Sequence, residues 1–173
     1  RYRDEADFDV VGFGDMLRNV LAGRNLRLFL EPGRYLVANC GALLTRVEYL
    51  KPQATPEHRN FAVVDAAMND LLRPALYKAH HRVEPVEPRG GPVATVDVVG
   101  PVCESGDFLA RGRELELPEP GDLLAVRDTG AYGFAMSSRY NMRPRAAEVL
   151  VEGGEARLVR RRETFDDLVR TEV

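Results

Sequence analysis

The stretch PVATVDVVGPVCESGD, residues 92–107, decides how the chain is read. Its first half, Pro92 to Val99, is β-branched and apolar enough for a buried strand. Its second half, Gly100 to Asp107, packs a thiol, two carboxylates and a hydroxyl between backbone-bending residues. A loop of this kind at the exit of a strand mounts reactive groups on a rigid element. Free cysteine titrates near about 8.5, so Cys103 is largely protonated at neutral pH and suits proton delivery to a carbanion. The neighbouring anion Glu104 favours the thiol over the thiolate. The same octapeptide also reads as a plain strand-to-turn corner in which Cys103 is a small apolar residue.

Working outward, further strands are expected over Ala42 to Leu50, Asn60 to Ala66, Phe108 to Leu115, Asp122 to Arg127 and Ala146 to Arg161, with helical turns over Met68 to Ala79 around Pro74. Gly90-Gly91, Pro120-Gly121 and Gly153-Gly154 supply turns, and the last sits in a hairpin signal, Glu152 to Glu155. Short strands at this spacing predict a β-sandwich or barrel. Ahead of it the rhythm differs. Val10, Phe13, Leu17, Val20 and Leu21 fall at helical spacing with Gly23 as a stop, Leu26 to Leu30 reads as a short strand, and Tyr35 to Asn39 as a short helix. That order is one unit of an α/β fold, with polar groups at the carboxyl end of its strand.

A chain of 173 residues, 45% hydrophobic, can bury a real core within one domain plus a fragment. Its formal net charge of -3 supplies no basic field for nucleic acid or an anionic membrane. No apolar run approaches the ~18 residues of a spanning helix, and a cytoplasmic setting is expected. Cys40 and Cys103 have no metal-ligand spacing and are expected to stay reduced, Cys40 as a small packing residue. His80 and His81 are adjacent, so they share no helix face as ligands, and His58 sits in a polar loop; no metal site is expected. The chain opens on Arg1 rather than methionine, so it is expected to be the C-terminal piece of a longer polypeptide.

Three other clusters carry polar chemistry. Glu31-Pro32-Gly33-Arg34 sets an anion and a guanidinium about a glycine that lets a ligand approach the backbone; it also reads as a strand-turn-helix corner with a surface ion pair. Arg73 and Tyr77 are four apart on one helical face, placed to grip a carboxylate or else as a solvated arginine and a packed tyrosine. Tyr132 lies between Gly130 and Gly133, a hydroxyl presented to a phosphate or a core tyrosine in a tight bend. Arg160 to Arg162 reads as a solvated strand end.

Taken together and in order, EPGRYLVANCG, VDAAMNDLLRPALY, GPVCESGD and DTGAYGFAMSSRYNMRPR resemble the diaminopimelate decarboxylases, pyridoxal-phosphate enzymes with a barrel and a β-domain. The resemblance covers nearly the whole chain. It implies an α+β fragment: residues 1–41 as the last helix-strand unit of a (β/α)8 barrel, then a mainly antiparallel β-sandwich or barrel domain over residues 42–173. It implies a carboxy-lyase that converts meso-2,6-diaminopimelate to L-lysine in lysine biosynthesis. Glu31 would face the pyridine nitrogen, Gly33 and Arg34 would lie by the cofactor phosphate or substrate, and Tyr132 would reach both cofactor and substrate. Arg34, Arg73 and Tyr77 would hold the distal carboxylate, Glu104 the distal ammonium, and Cys103 would protonate the α-carbon. Cys103 and Glu104 would enter the active site of the partner subunit, making a homodimer with a shared site. Two departures stand out. Arg139 replaces a smaller polar residue, and the lysine that carries the cofactor has no counterpart, since Lys51 and Lys78 both lie in other contexts. Arg1 to Asp7 resembles the segment just after the glycine-rich loop. The fragment alone is therefore expected to be inactive. A sister decarboxylase of ornithine or arginine, and a dimerising or regulatory module without catalysis, are the alternatives.

Overall fold

Residues with alternating β-branched side chains account for most of the architecture. The computed structural model describes residues 6–53, 55 and 59–173, so His58 and residues 1–5 of the segment expected to follow a glycine-rich loop lie outside the described residues. Helix α1 (Val10–Leu21) starts where the Asp9 carboxylate accepts the Gly12 N–H at 2.9 Å, and Gly23 follows it with a φ of 72°. Helix α2 (Gly33–Val37) runs into a 3-10 turn, Ala38–Cys40. Then come β1 (Ala42–Lys51), β2 (Asn60–Val64), α3 (Arg73–Tyr77), β3 (Val83–Pro85), β4 (Val93–Val99), β5 (Phe108–Glu116) and β6 (Leu123–Arg127). A hairpin of β7 (Glu148–Glu152) and β8 (Glu155–Arg160) turns at Gly153-Gly154 as expected, and α4 (Phe165–Val169) closes the chain behind a Thr164 capping box.

Strands β1 to β6 form one mixed sheet in the order β3-β6-β1-β2-β4-β5, antiparallel throughout except for the β2–β4 pair. Its end strands β3 and β5 approach one another, so the sheet is a nearly closed barrel. Val47, Val64, Val96, Val98, Leu109, Leu124 and Val126 point inward and meet Leu71 in a core with almost no solvent exposure. Each such side chain contributes roughly 1.5–3 kcal/mol on burial. Gly112, with a φ of 58°, forms the bulge that bends β5 against β4, and its N–H reaches Asp97 Oδ1 at 2.5 Å.

Two expectations are corrected. Leu26 to Leu30 belongs to no strand among the described residues, because a strand needs a neighbour to take up its N–H and C=O groups and none flanks it here. Cys40 is exposed rather than packed. The segment Val83–Pro85, for which the sequence reading assigned no element, pairs with β6 at the sheet edge. No residue of α1 or α2 is buried, and no helix is long and apolar enough to cross a membrane among the described residues.

Candidate functional site

Helix α3 is the hub between two groups of polar residues. Arg73 and Tyr77 share one face, and the Arg73 guanidinium stacks 5.6 Å from the Tyr77 ring and 5.3 Å from the Tyr132 ring. Contact with two rings restricts where the guanidinium can sit. Both tyrosines are well exposed, which removes the reading of either as a core residue. Tyr132 adopts a φ of 61°, held by a loop that lies hard against the α2 segment: Thr129 N–H donates to Gly41 O and Gly130 N–H to Ala38 O, each at 3.0 Å. A Cβ on Gly130 would come within 1.9 Å of Val37 O, and one on Gly41 within 2.5 Å of Gly130 N, so both positions need glycine for that approach. The contact carries the corner Glu31 to Arg34 to the same place, where a Cβ on Gly33 would sit 3.8 Å from the Tyr132 hydroxyl. Gly33, Arg73, Tyr77 and Tyr132 are thus brought together, with Glu31 and Arg34 flanking Gly33 on an open face.

Behind this cluster stands His81, buried, with Nδ1 2.9 Å from Arg127 O. Burial pushes its imidazole below the ordinary histidine range, and the nearby Arg73 and Arg113 guanidinia act in the same direction. The neutral ring therefore donates from Nδ1 and ties the segment after α3 to the root of the tyrosine loop. Sequence reading saw His81 only as one of an adjacent pair.

The thiol turn forms the second group. Ala75 of α3, on the helix face opposite Arg73 and Tyr77, lies 3.7 Å from where a Cβ on Gly106 would be. Asp107 is buried and staples the turn: Oδ1 accepts the Met68 N–H at 2.7 Å and Oδ2 the Val102 N–H at 2.6 Å. Gly100 is the partner of that staple, since a Cβ there would meet Asp107 Oδ2 at 2.5 Å and Ala67 Cα at 2.7 Å. One of the turn's two carboxylates is therefore structural, and the other, Glu104, accepts a hydrogen bond from the Tyr140 hydroxyl. Cys103 and Glu104 are exposed, and Glu104 lines a cavity of about 420 Å³ that also meets Arg59, Asp97 and Arg111. Within one copy of the chain, the thiol turn thus packs on the face of α3 opposite Arg73 and Tyr77. Among the described residues no three His, Cys, Asp or Glu side chains gather to hold a metal.

The final segment crosses over the Asn69 loop and is held by charge. Arg143 donates to Asn69 Oδ1 at 3.0 Å and to Asp65 O at 2.5 Å. Arg139 and Arg145 fork onto Glu163, whose carboxyl they hold far below the usual range. Arg139, where a smaller residue was expected, thus has a partner in Glu163.

Residues 14–130 match the family model described as the pyridoxal-dependent decarboxylase C-terminal sheet domain. The chain belongs to this family. Curated relatives that it resembles include the diaminopimelate decarboxylase of Pseudomonas fluorescens, 60% identical over 97% of this chain and 39% of the relative, and that of Neisseria meningitidis, 52% identical over 99% of this chain and 41% of the relative. The solved structure of diaminopimelate decarboxylase from Helicobacter pylori complexed with L-lysine superposes with a TM-score of 0.90 at 40% identity, covering 99% of this chain and 41% of that one. The enzyme from M. jannaschii in complex with L-lysine gives 0.85 at 37% identity, covering 99% and 40%. The chain spans about two fifths of the length of these relatives.

Family members are named for pyridoxal, and the corner fits such a group. Glu31 supplies an anion, Arg34 a guanidinium and Tyr132 a phenol, and the missing side chain of Gly33 keeps the space between backbone and phenol clear.

Proposed function

We propose that the chain is the C-terminal portion of a diaminopimelate decarboxylase that binds pyridoxal 5'-phosphate and releases carbon dioxide from meso-2,6-diaminopimelate to give L-lysine. The observation that carries this reading is the Arg73 guanidinium set against the Tyr77 and Tyr132 rings, with the Tyr132 hydroxyl beside Gly33, a cation and two phenols gathered next to a cofactor corner. A substrate such as ornithine has no distal carboxylate for that cation, so a diacid is favoured. Residues 1–41 are read as the last helix-strand unit of a (β/α)8 barrel, which accounts for the uncovered apolar side chains of residues 26–30.

When bound, the cofactor supplies an electron sink for the bond to carbon dioxide. Glu31 holds a proton at the pyridine nitrogen, while Gly33, Arg34 and Tyr132 seat the phosphate. Arg34, Arg73 and Tyr77 grip the distal carboxylate and Glu104 the distal ammonium, so the α-carbon faces one direction only. Cys103 then gives its Sγ proton to that carbon. The packing of the thiol turn on the face of α3 opposite the arginine cluster supports a homodimer in which the turn of one subunit completes the site of the other. The test is carbon dioxide release by the full-length enzyme from meso-diaminopimelate, ornithine and arginine. Turnover of the diacid alone is expected, and equal or faster turnover of either monoacid would reject the assignment. Cys103→Ala should lower kcat by about 10²-fold with cofactor absorbance retained; an unchanged rate would remove the proton-donor role.

A further inference from the structure

The bond from Tyr140 to Glu104 spans 36 residues of chain and enters none of the roles above. Exposed polar pairs of this kind usually contribute little, because both side chains must be frozen to make them. Here the backbone has already been frozen. The Ser138 N–H donates to Asn69 O at 2.9 Å, and Arg139 forks onto Glu163 at 3.2 and 2.9 Å. Beyond the tyrosine, Arg143 is pinned to Asn69 and Asp65. Between these anchors, Asn141 and Met142 take φ values of 55° and 56°, a left-handed pair that a methionine adopts only under constraint. The strained turn is thus fixed at both ends to the 65–69 loop, and Met68 of that loop donates to the Asp107 staple of the thiol turn. Tyr140 and Glu104 are presented to one another from a single rigid support. A glutamate side chain left to itself samples many rotamers, whereas the phenol fixes one carboxylate oxygen and leaves Oε2 for a second donor. The bond also holds the phenol above its ordinary range, so Tyr140 remains a donor through neutral and mildly alkaline pH.

We propose that Tyr140 is a positioning residue for Glu104, turning its second carboxylate oxygen toward the distal ammonium of a diamino substrate and so acting on substrate selection rather than on bond breaking. This rests on the role given to Glu104 above. The experiment compares the full-length enzyme with Y140F, E104Q and the double variant. Y140F is expected to raise KM for diaminopimelate about tenfold with kcat within about twofold, and E104Q to raise it further. The double variant should be no worse than E104Q alone, since the tyrosine acts only through the glutamate. An unchanged KM in Y140F beside a raised KM in E104Q overturns the positioning role while leaving Glu104 in place. Additive losses, or a fall in kcat and thermal stability with KM untouched, overturn it as well. A wild-type KM in E104Q removes the Glu104 role itself and this inference with it. Spectrophotometric titration of the tyrosines gives a readout apart from turnover: one phenol should ionise later than the rest, vanish in Y140F and return to the ordinary range in E104Q. No such phenol in the wild type would overturn the bond.

Discussion

The thiol turn and the acidic corner carry comparable chemistry on unequal foundations. Gly100 to Asp107 is closed by a buried carboxylate bonded to two backbone N–H groups, one of them from a different part of the chain. Glu31 to Arg34 sits in a stretch with no buried residue and touches the sheet domain through the contact between Gly41 and Gly130. The difference teaches that this chain pre-organises one half of its site and only hangs the other half from it. Preorganisation is worth most where the group must act in one orientation, and a proton donor with its neighbouring anion has that need.

The comparison is most severely tested at the staple. Asp107→Ala leaves the Met68 and Val102 N–H groups without acceptors in a buried place, and should destabilise the chain by about 3 kcal/mol with fast hydrogen exchange over residues 100–107. An intact turn in that variant would make the two halves equal after all. Gly130→Ala attacks the joint: with 1.9 Å to Val37 O the methyl cannot be seated, and a loss of about 2 kcal/mol is expected, with residues 31–41 released while the sheet keeps its exchange protection. Loss of protection throughout the sheet would show that the corner is more than a pendant.

His81 sharpens the contrast through pH. Its pKa is lowered by folding, so the unfolded chain gains a proton that the folded chain refuses; the stability is complete above the ordinary histidine range and falls as pH drops through about 6.5. Arg73, Arg113, Asp128 and the Arg127 carbonyl are the groups that face it. His81→Asn keeps a donor near Arg127 O and should flatten the unfolding free energy between pH 7 and 5, where a single proton contributes at most about 1.4 kcal/mol per pH unit. A wild-type slope in the variant would move the titration elsewhere. The smallest effect is expected at Leu30, 54% exposed: Leu30→Glu should shift the stability of this chain by less than about 0.5 kcal/mol while improving its solubility. A large loss there would mean that the segment packs.

Much of the sheet was legible because alternation of apolar residues survives in each long strand. Pairing was less legible. Val83 to Pro85 becomes an edge strand only because β6 lies beside it, and Leu26 to Leu30 has strand propensity with no partner to express it among the described residues. Spacing alone put Arg73 and Tyr77 together, and the glycines around Tyr132 announced a close approach whose target, the backbone of residues 37–41, no local signal names. In the thiol turn, sequence counted two carboxylates as one kind of group. Burial divides them, since Asp107 answers the backbone and Glu104 faces outward. Tyr140 was invisible for the same reason that it matters, its partner lying 36 residues away.

The facing glycines at 41 and 130 set a rule for remodelling the molecule. With no space for even a methyl group between the two strands of backbone, the tyrosine loop does not tolerate a change of register at its root. A graft one residue longer or shorter would bring a neighbour's side chain into the seam, and the aromatic cage around Arg73 would open. Loop length and the two glycines together are what this joint constrains.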